Sequence, residues 1–300
     1  MLAKMPPWIR VKGVDEKVLS TMKEKLDAFN LHTVCESATC PNVGSCFKRG
    51  TATFMILGDT CTRNCGFCSV KHGTPAPPDP DEPRRVAEAA RELNLHHVVI
   101  TSVTRDDLKD GGASAFADTV RWINQLLPDA TTDLLIPDLH GLKKNVATVA
   151  DAHPDIIAHN LETVSRLYPL ARRQADYRKS LSVLKMVKEI NPEMHTKSGI
   201  MVGLGEKFNE VLEVLEDLRS VDCDFLTIGQ YLKPAAENIA VHEFIHPEMF
   251  ERFKDVGEEM GFRYVASAPF VRSSFHAEEA LQHIKSYRVA EFRSLRVYGS

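Results

Sequence analysis

The sequence predicts an α/β protein built as a partial (β/α) barrel, preceded by a cysteine-bearing arm and followed by a tail. Three observations predict it. Short runs apolar on both faces recur along the chain. Helical patterns stand between them. The two alternate through about seven units. Strands apolar on both faces are covered on both sides, and strands separated by helices pair in parallel. Seven units suggest a barrel, closed or partial, rather than a small open sheet. In such folds the chemistry sits at the carboxyl ends of the strands.

Taken in order, residues 1–34 read as an arm with one helix, about Asp15 to Phe29, carrying Val18, Met22, Leu26 and Phe29 on one face. Residues 35–50 bear Cys, Gly and Pro and read as irregular. Thr53 to Leu57 is β-prone, and Gly58 ends it. From Gly73 to Pro83 five of eleven residues are Pro, which forbids a helix or an inner strand. A helix starts there, with Asp81 as N-cap and Pro83 in the first turn. Further strand runs are His97–Val103, Asp133–Ile136, Asp155–His159, Ser198–Val202, Phe225–Tyr231 and Tyr264–Ala268. The helical patterns between them include Val86–Leu93, Phe116–Leu127, Tyr177–Ile190, Asn209–Val221 and Pro247–Met260. The expected division is an arm over 1–50, the barrel over 51–270 and a tail over 271–300.

Composition bounds the function. Acidic residues outnumber basic ones, 41 to 37, for a net charge of −4 in 300 residues. That argues against a nucleic-acid-binding chain held by phosphate contacts. No apolar run approaches the roughly 18 residues of a spanning helix, so no membrane role is expected. The opening MLAKMPPWIRVKG has a Pro pair and Arg10 where a signal peptide needs its apolar core, so a cytoplasmic protein is expected. A chain this long buries roughly three quarters of its unfolded surface and needs no metal merely to fold. In a reducing compartment cysteines point to metal ligation or catalysis. Of the seven here, six lie between Cys35 and Cys68. The seventh, Cys223, reads as a packed structural thiol.

The six form two triplets: Cys35, Cys40, Cys46, spaced Cys-x4-Cys-x5-Cys, and Cys61, Cys65, Cys68, spaced Cys-x3-Cys-x2-Cys. Positions i, i+4 and i+7 of the second triplet would share a helical face. Polar Thr62, Arg63 and Asn64, with Gly66 and the Gly58–Asp59 turn, make it a loop leaving a strand instead. Three thiolates from one loop grip one face of a cluster or a metal ion. Zinc would want a fourth ligand, with His72 available to the second triplet and His32 to the first. Iron–sulfur clusters usually take four Cys, and a site with three leaves one iron open.

Cys61-x3-Cys65-x2-Cys68 after the first barrel strand, with Phe67 before the last Cys, resembles the signature of the radical S-adenosylmethionine superfamily. The upstream triplet narrows the likeness, and three stretches agree with it: Thr104-Arg105-Asp106-Asp107-Leu108-Lys109-Asp110-Gly111-Gly112, His159-Asn160-Leu161-Glu162-Thr163 and Arg272-Ser273-Ser274. Over about residues 5 to 280 the chain resembles the lipoyl synthase family. The resemblance implies a TIM-type partial barrel and two [4Fe–4S] clusters with S-adenosylmethionine. A catalytic cluster would sit on Cys61, Cys65 and Cys68. An auxiliary cluster on Cys35, Cys40 and Cys46 would be completed by a serine of the Arg-Ser-Ser motif, Ser274 rather than Ser273. It implies insertion of two sulfurs at C6 and C8 of a protein-bound octanoyl-lysine, with the auxiliary cluster as donor. The implied partners are octanoylated lipoyl carrier domains (2-oxoacid dehydrogenase E2 subunits or the glycine cleavage H protein), a flavodoxin or ferredoxin, and an iron–sulfur carrier for repair; a monomer is expected.

For the cofactor pocket the candidates are Phe67, Thr101, Ser102, Asn160, Glu162, Arg178 and Met201. Glu162 would accept from ribose hydroxyls and Arg178 would meet the cofactor carboxylate. Gly203-Leu204-Gly205 is too short for a phosphate loop. The basic run Arg172–Lys179 reads either as a solvated helix start or as a surface steering an acidic carrier. Two other readings stay open: a sulfur-inserting radical enzyme resembling biotin synthase, and a zinc-bearing binding module.

Overall fold

Chain order and spatial order coincide in the sheet. The structure, a computed structural model, describes residues 5–9, 20, 23–24, 26–34, 42, 53–274 and 279. β1 (His32–Thr33) pairs antiparallel with β2 (Thr53–Ile56), His32 opposite Met55. β3 (His97–Ser102), β4 (Thr131–Leu135), β5 (Ile156–Ala158), β6 (His195–Val202), β7 (Phe225–Gln230) and β8 (Tyr264–Ser267) then follow β2 in sequence, each parallel to the last. The result is an eight-stranded sheet in the order β1 to β8, a partial (β/α) barrel. Crossovers run through α1 (Glu82–Glu92), α2 (Ala113–Leu126), α3 (Lys143–Ala150), the short α4 (Tyr168–Ala171) with α5 (Tyr177–Ile190), α6 (Phe208–Ser220) and α7 (Pro247–Glu259). Of the helix expected over Asp15 to Phe29, residues 20, 23–24 and 26–29 are described; all are helical but Phe29, which lies in a turn.

The burial pattern follows from coverage on both faces. All four residues of β2 and all six of β7 are buried. One cluster of side chains, including Phe54, Val86, Ile100, Phe116, Leu134 and Val146, packs α1 to α3 on the first strands. A second, including Leu184, Val214, Leu226, Phe250 and Phe253, packs the later helices on β6 to β8. Burying a side chain such as Phe116 contributes about 2–3 kcal/mol.

Two local expectations are corrected. Asp81 precedes α1 but its side chain caps nothing; Asp79 Oδ1 instead accepts the Asp81 N–H at 2.9 Å. Helix α5 does have a side-chain cap, since Asp176 Oδ1 accepts the Lys179 N–H at 2.7 Å. β6 begins three residues before the expected Ser198, at His195. The polar start His195-Thr196-Lys197 hid it, because Lys197 points at a buried carboxylate, Asp133 of β4, with which it forms an ion pair. Among the described residues no helix is long and apolar enough to cross a membrane.

Candidate active site

The turn at the carboxyl end of β2 starts with two left-handed residues, Leu57 (φ 69°) and Gly58 (φ 88°). It is anchored where Leu57 N–H donates to Glu82 Oε2 of α1 at 2.6 Å. Cys61 then pairs with His72: Cys61 N–H donates to Lys71 O at 2.8 Å and Gly73 N–H to Cys61 O at 2.9 Å. This closes residues 62–71 into a loop that carries Cys65 and Cys68, with Cys61 at its base.

The loop is gripped from four directions. Thr62 N–H donates to Thr104 O at 3.0 Å, after β3. Arg63, 8 % exposed, forks onto two carboxylates. Its Nε and Nη2 donate to Asp106 at 2.8 and 2.7 Å, and its Nη1 and Nη2 to Asp138 at 2.7 and 2.9 Å. The guanidinium holds the Asp138 carboxyl below the usual range against the opposing effect of burial. Gly66 N–H donates to Ala171 O at 2.9 Å, and Asn64 N–H to Gln174 Oε1 at 2.7 Å. After β7, Ile239 N–H donates to Gly66 O at 3.0 Å, and Asn238 Nδ2 to Cys68 O at 2.9 Å. Gly66 is required here, because a Cβ would stand 2.7 Å from Ile239 Cδ1 and 2.9 Å from Leu170 O.

The sulfurs are already hydrogen-bond acceptors. Cys61 Sγ receives the N–H of Arg63 at 3.4 Å and of Thr104 at 3.3 Å, and Cys68 Sγ that of Val70 at 3.4 Å. Such bonds stabilise thiolate charge and tune iron–sulfur clusters. Burial acts the other way, raising the Cys65 thiol and pushing Cys68 up to about 12. As free thiols they are protonated at neutral pH, and metal binding displaces those protons. Among the described residues no three His, Cys, Asp or Glu side chains converge on one ion. A cubane takes each thiolate at a different iron, and three thiols from one loop, with backbone N–H donors to sulfur, fit a cluster. His72 is exposed and pairs with Cys61 through backbone.

Facing the loop is the end of β5. Glu162 takes a left-handed turn (φ 67°) and is stitched to β6, its N–H donating to Gly199 O at 2.9 Å and Met201 N–H to Glu162 O at 2.8 Å. Asn160 Nδ2 donates to Glu162 Oε1 at 2.9 Å. Burial raises the Glu162 carboxyl, opposed by Arg172. Arg172, 9 % exposed, donates through Nη1 to Asn160 O at 2.8 Å and to Tyr168 OH at 3.0 Å, and its Nε has no partner in the structure. It lies within electrostatic reach of Cys65. The basic run is therefore split: Arg172 is an interior cation, while Arg178 is exposed on α5. Sequence reasoning missed Arg172 as a site residue because its neighbours are solvated charges.

The other candidates fall as follows. Phe67 is half-buried against the second core cluster. Ser102 Oγ at the end of β3 is buried without a partner. Thr101 Oγ1 is spent on Leu135 O at 2.8 Å. Met201 is half-buried in β6. Gly203 and Gly205 flank a turn in which Glu206 accepts the backbone N–H groups of Gly203 and Leu204, so these amides face a carboxylate of the chain itself. Cys223 is buried in the core, as expected. Cys35, Cys40 and Cys46 lie outside the described residues. Asn42, between the last two, is buried and donates through Nδ2 to Phe270 O at 2.7 Å. Ser273 Oγ lies 2.7 Å from Asn160 Nδ2, and Ser274 is half-buried.

A (β/α) barrel with three thiols on the loop after its first parallel strand defines a class of enzyme, and the family model described as the Radical SAM superfamily matches residues 55–218. Methylornithine synthase (PylB) shares the fold, with a TM-score of 0.54 at 13% identity over 71% of this chain and 70% of that one. A lipoyl synthase from Caldanaerobacter subterraneus subsp. tengcongensis is 54% identical over 94% of this chain and 98% of its own length. One from Caldicellulosiruptor saccharolyticus is 51% identical over 95% and 100%. The chain belongs to the lipoyl synthase family of the radical SAM superfamily. Its cofactors are accordingly [4Fe–4S] clusters and S-adenosylmethionine.

Proposed function

We propose that this chain inserts sulfur at C6 and C8 of an octanoyl group amide-linked to a lysine of a lipoyl carrier domain. The observation that supports this reading over other radical chemistry is the bond from Asn42 to Phe270, which spans 228 residues. It joins the stretch bearing Cys40 and Cys46 to the stretch leading into Arg272-Ser273-Ser274. The arm (1–50) is thus tied to the last residue of the barrel (51–270), one residue before the tail (271–300), which supports a cluster drawing ligands from both.

Each part then has a role. Cys61, Cys65 and Cys68 hold the catalytic cluster, which with S-adenosylmethionine supplies the primary carbon radical that unactivated C–H bonds demand. Cys35, Cys40, Cys46 and Ser274 hold the auxiliary cluster, the source of sulfur. A serine oxygen is a hard ligand among soft ones and so a displaceable one. The remaining roles belong to the chain. Arg63 and its two carboxylates fix the thiol loop. Glu162 and Asn160 offer carboxylate and amide oxygens to ribose hydroxyls. Ser102 and Phe67 line the strand ends, Phe67 toward the adenine. Arg178, exposed on α5, would meet the cofactor carboxylate. Partners of the stated chemistry are an octanoylated carrier domain, a low-potential flavodoxin or ferredoxin, and an iron–sulfur carrier.

The test is direct. The reconstituted chain with reductant, S-adenosylmethionine and an octanoyl-lysyl peptide should yield mono- and dithiolated peptide by mass. About eight irons per chain should fall to about four in Cys61→Ala. Absence of any sulfurated peptide from a chain holding both clusters overturns the reading.

A further inference from the structure

Ser273 sits at an unusual junction. Its Oγ is 2.7 Å from Asn160 Nδ2 and 3.0 Å from Asn160 Oδ1. Asn160 Nδ2 has two hydrogens, and its other acceptor is Glu162 Oε1 at 2.9 Å. With one hydrogen on Glu162 and the other on Ser273, the amide is fully spent as a donor, and the Ser273 hydroxyl in turn donates to Oδ1. The carboxylate, which only accepts, sets which end of the amide faces Glu162, and the hydroxyl, which both donates and accepts, holds the amide from the tail side. Neighbouring residues make room for this contact. A Cβ on Gly199 would fall 2.9 Å from Ser273 Oγ, 3.0 Å from Asn160 Oδ1 and 2.6 Å from Thr227 Oγ1. A Cβ on Gly229 would fall 2.1 Å from Val271 O. Two glycines on adjacent strands thus let the tail lie directly on the strand ends. From the arm side Asn42 holds Phe270, the residue just before the tail.

We infer that Ser273 is a positioning residue that sets the Asn160–Glu162 pair only when the tail is seated, and so couples the auxiliary-cluster end of the chain to the cofactor pocket. The inference rests on the reading that Ser274 is the cluster ligand and Asn160 a pocket residue. The two adjacent serines then divide the work. Ser274 serves the auxiliary cluster, and Ser273 reports the seating of the tail to the barrel. Without the Ser273 hydroxyl the Asn160 amide keeps only its bond to Glu162, and the pair is held less firmly where the pocket needs it. The cofactor would then bind less tightly and its cleavage would run without matching sulfur insertion.

The experiment compares full-length wild type, Ser273→Ala, Ser273→Thr and Ser274→Ala, all reconstituted. It measures iron per chain, the electron paramagnetic resonance of each reduced cluster, S-adenosylmethionine affinity by equilibrium dialysis, and 5′-deoxyadenosine formed per sulfur inserted. Expected for Ser273→Ala are full iron, an unchanged auxiliary-cluster signal, affinity weaker by about three- to tenfold, as befits one lost hydrogen bond, and a raised ratio of 5′-deoxyadenosine to sulfur. Ser273→Thr, which keeps the hydroxyl, should restore affinity. Unchanged affinity and ratio in Ser273→Ala overturn the coupling. An altered auxiliary signal in Ser273→Ala but not in Ser274→Ala makes Ser273 the ligand and overturns both the inference and the assignment beneath it. Only about four irons in the wild type would sink the two-cluster reading itself, whatever the serines do.

Discussion

Replacing Arg63 tests whether the thiol loop is held by the barrel or by its metal. Arg63 makes four charge-assisted bonds of 2.7–2.9 Å to Asp106 and Asp138. The two halves are unequal. The Asp106 side chain is 36 % exposed, so water takes over most of its pairing, and its share is small. Asp138 is 2 % exposed, and without Arg63 it becomes a buried, uncompensated carboxylate. Removing one partner of a buried pair costs about 3–5 kcal/mol. Arg63→Met should therefore lower hydrogen-exchange protection of the amides in 61–73 by about 10²–10³-fold in the metal-free chain, at 1.4 kcal/mol per tenfold. Iron release to a chelator from the reconstituted chain should speed up in parallel. Because most of the cost is the stranded charge, Arg63→Met/Asp138→Asn should recover part of it, about 1–3 kcal/mol. Arg63→Lys should fall between, since an ammonium cannot fork onto two carboxylates. Protection within threefold of wild type in Arg63→Met, or a double variant worse than the single, would refute the clamp.

Two further outcomes follow from buried groups and close approaches. His159 donates through Nδ1 to Ile136 O at 2.8 Å, and burial, reinforced by Arg172, lowers it from 6.5 to about 4. It folds neutral, so the unfolded chain binds its proton first. Stability is whole above about pH 7 and declines by about 3 kcal/mol as pH falls toward 4. In His159→Asn the pH dependence of chemical unfolding should be flatter by that amount over this window, and an unchanged slope would count against it. Gly229→Ala places a Cβ 2.1 Å from Val271 O and must lift the tail. Limited proteolysis within 268–274 should accelerate while amide protection in 61–73 stays at the wild-type level; equal loss in both places would contradict separate anchoring.

What could be read from the sequence was local. Cys61, Cys65 and Cys68 fall within eight residues, and Gly58 and Gly66 mark their loop, so spacing alone revealed a ligand set. The apolar strands were legible because burial on both faces leaves an unbroken apolar run, as in β2 and β7. β6 was legible only from Ser198, because a lysine in the barrel interior reads as surface until its carboxylate is found on another strand. The same limit hid Arg63, whose partners lie 43 and 75 residues away, and Arg172, turned inward by α4 among charges that do face water. Sequence period reports which face a residue takes, and it is silent about which distant side chain neutralises a buried charge. Ser273 was within reach as part of a motif, but its partner 113 residues away was not.

The two cluster regions differ in where their support comes from, and this bears on how the reaction is ordered. The hydrogen bonds described for the 61–73 loop tie it to the ends of β3 and β4, to the stretch after β5 and to the stretch after β7, all within the barrel. The region of the upstream triplet meets the described structure through Asn42, which bonds Phe270 just before a tail that rests on two glycine gaps in β6 and β7. A cluster consumed as a sulfur source has to be opened and rebuilt, while the one that generates the radical has to survive each turnover. A loop tied at several strand ends for the durable centre, and among the described residues a tie from the upstream stretch to Phe270 beside the tail for the expendable one, match those demands. Ser273 then stands where the yielding part meets the rigid part, and a shift of the tail during sulfur release would be felt first at Asn160.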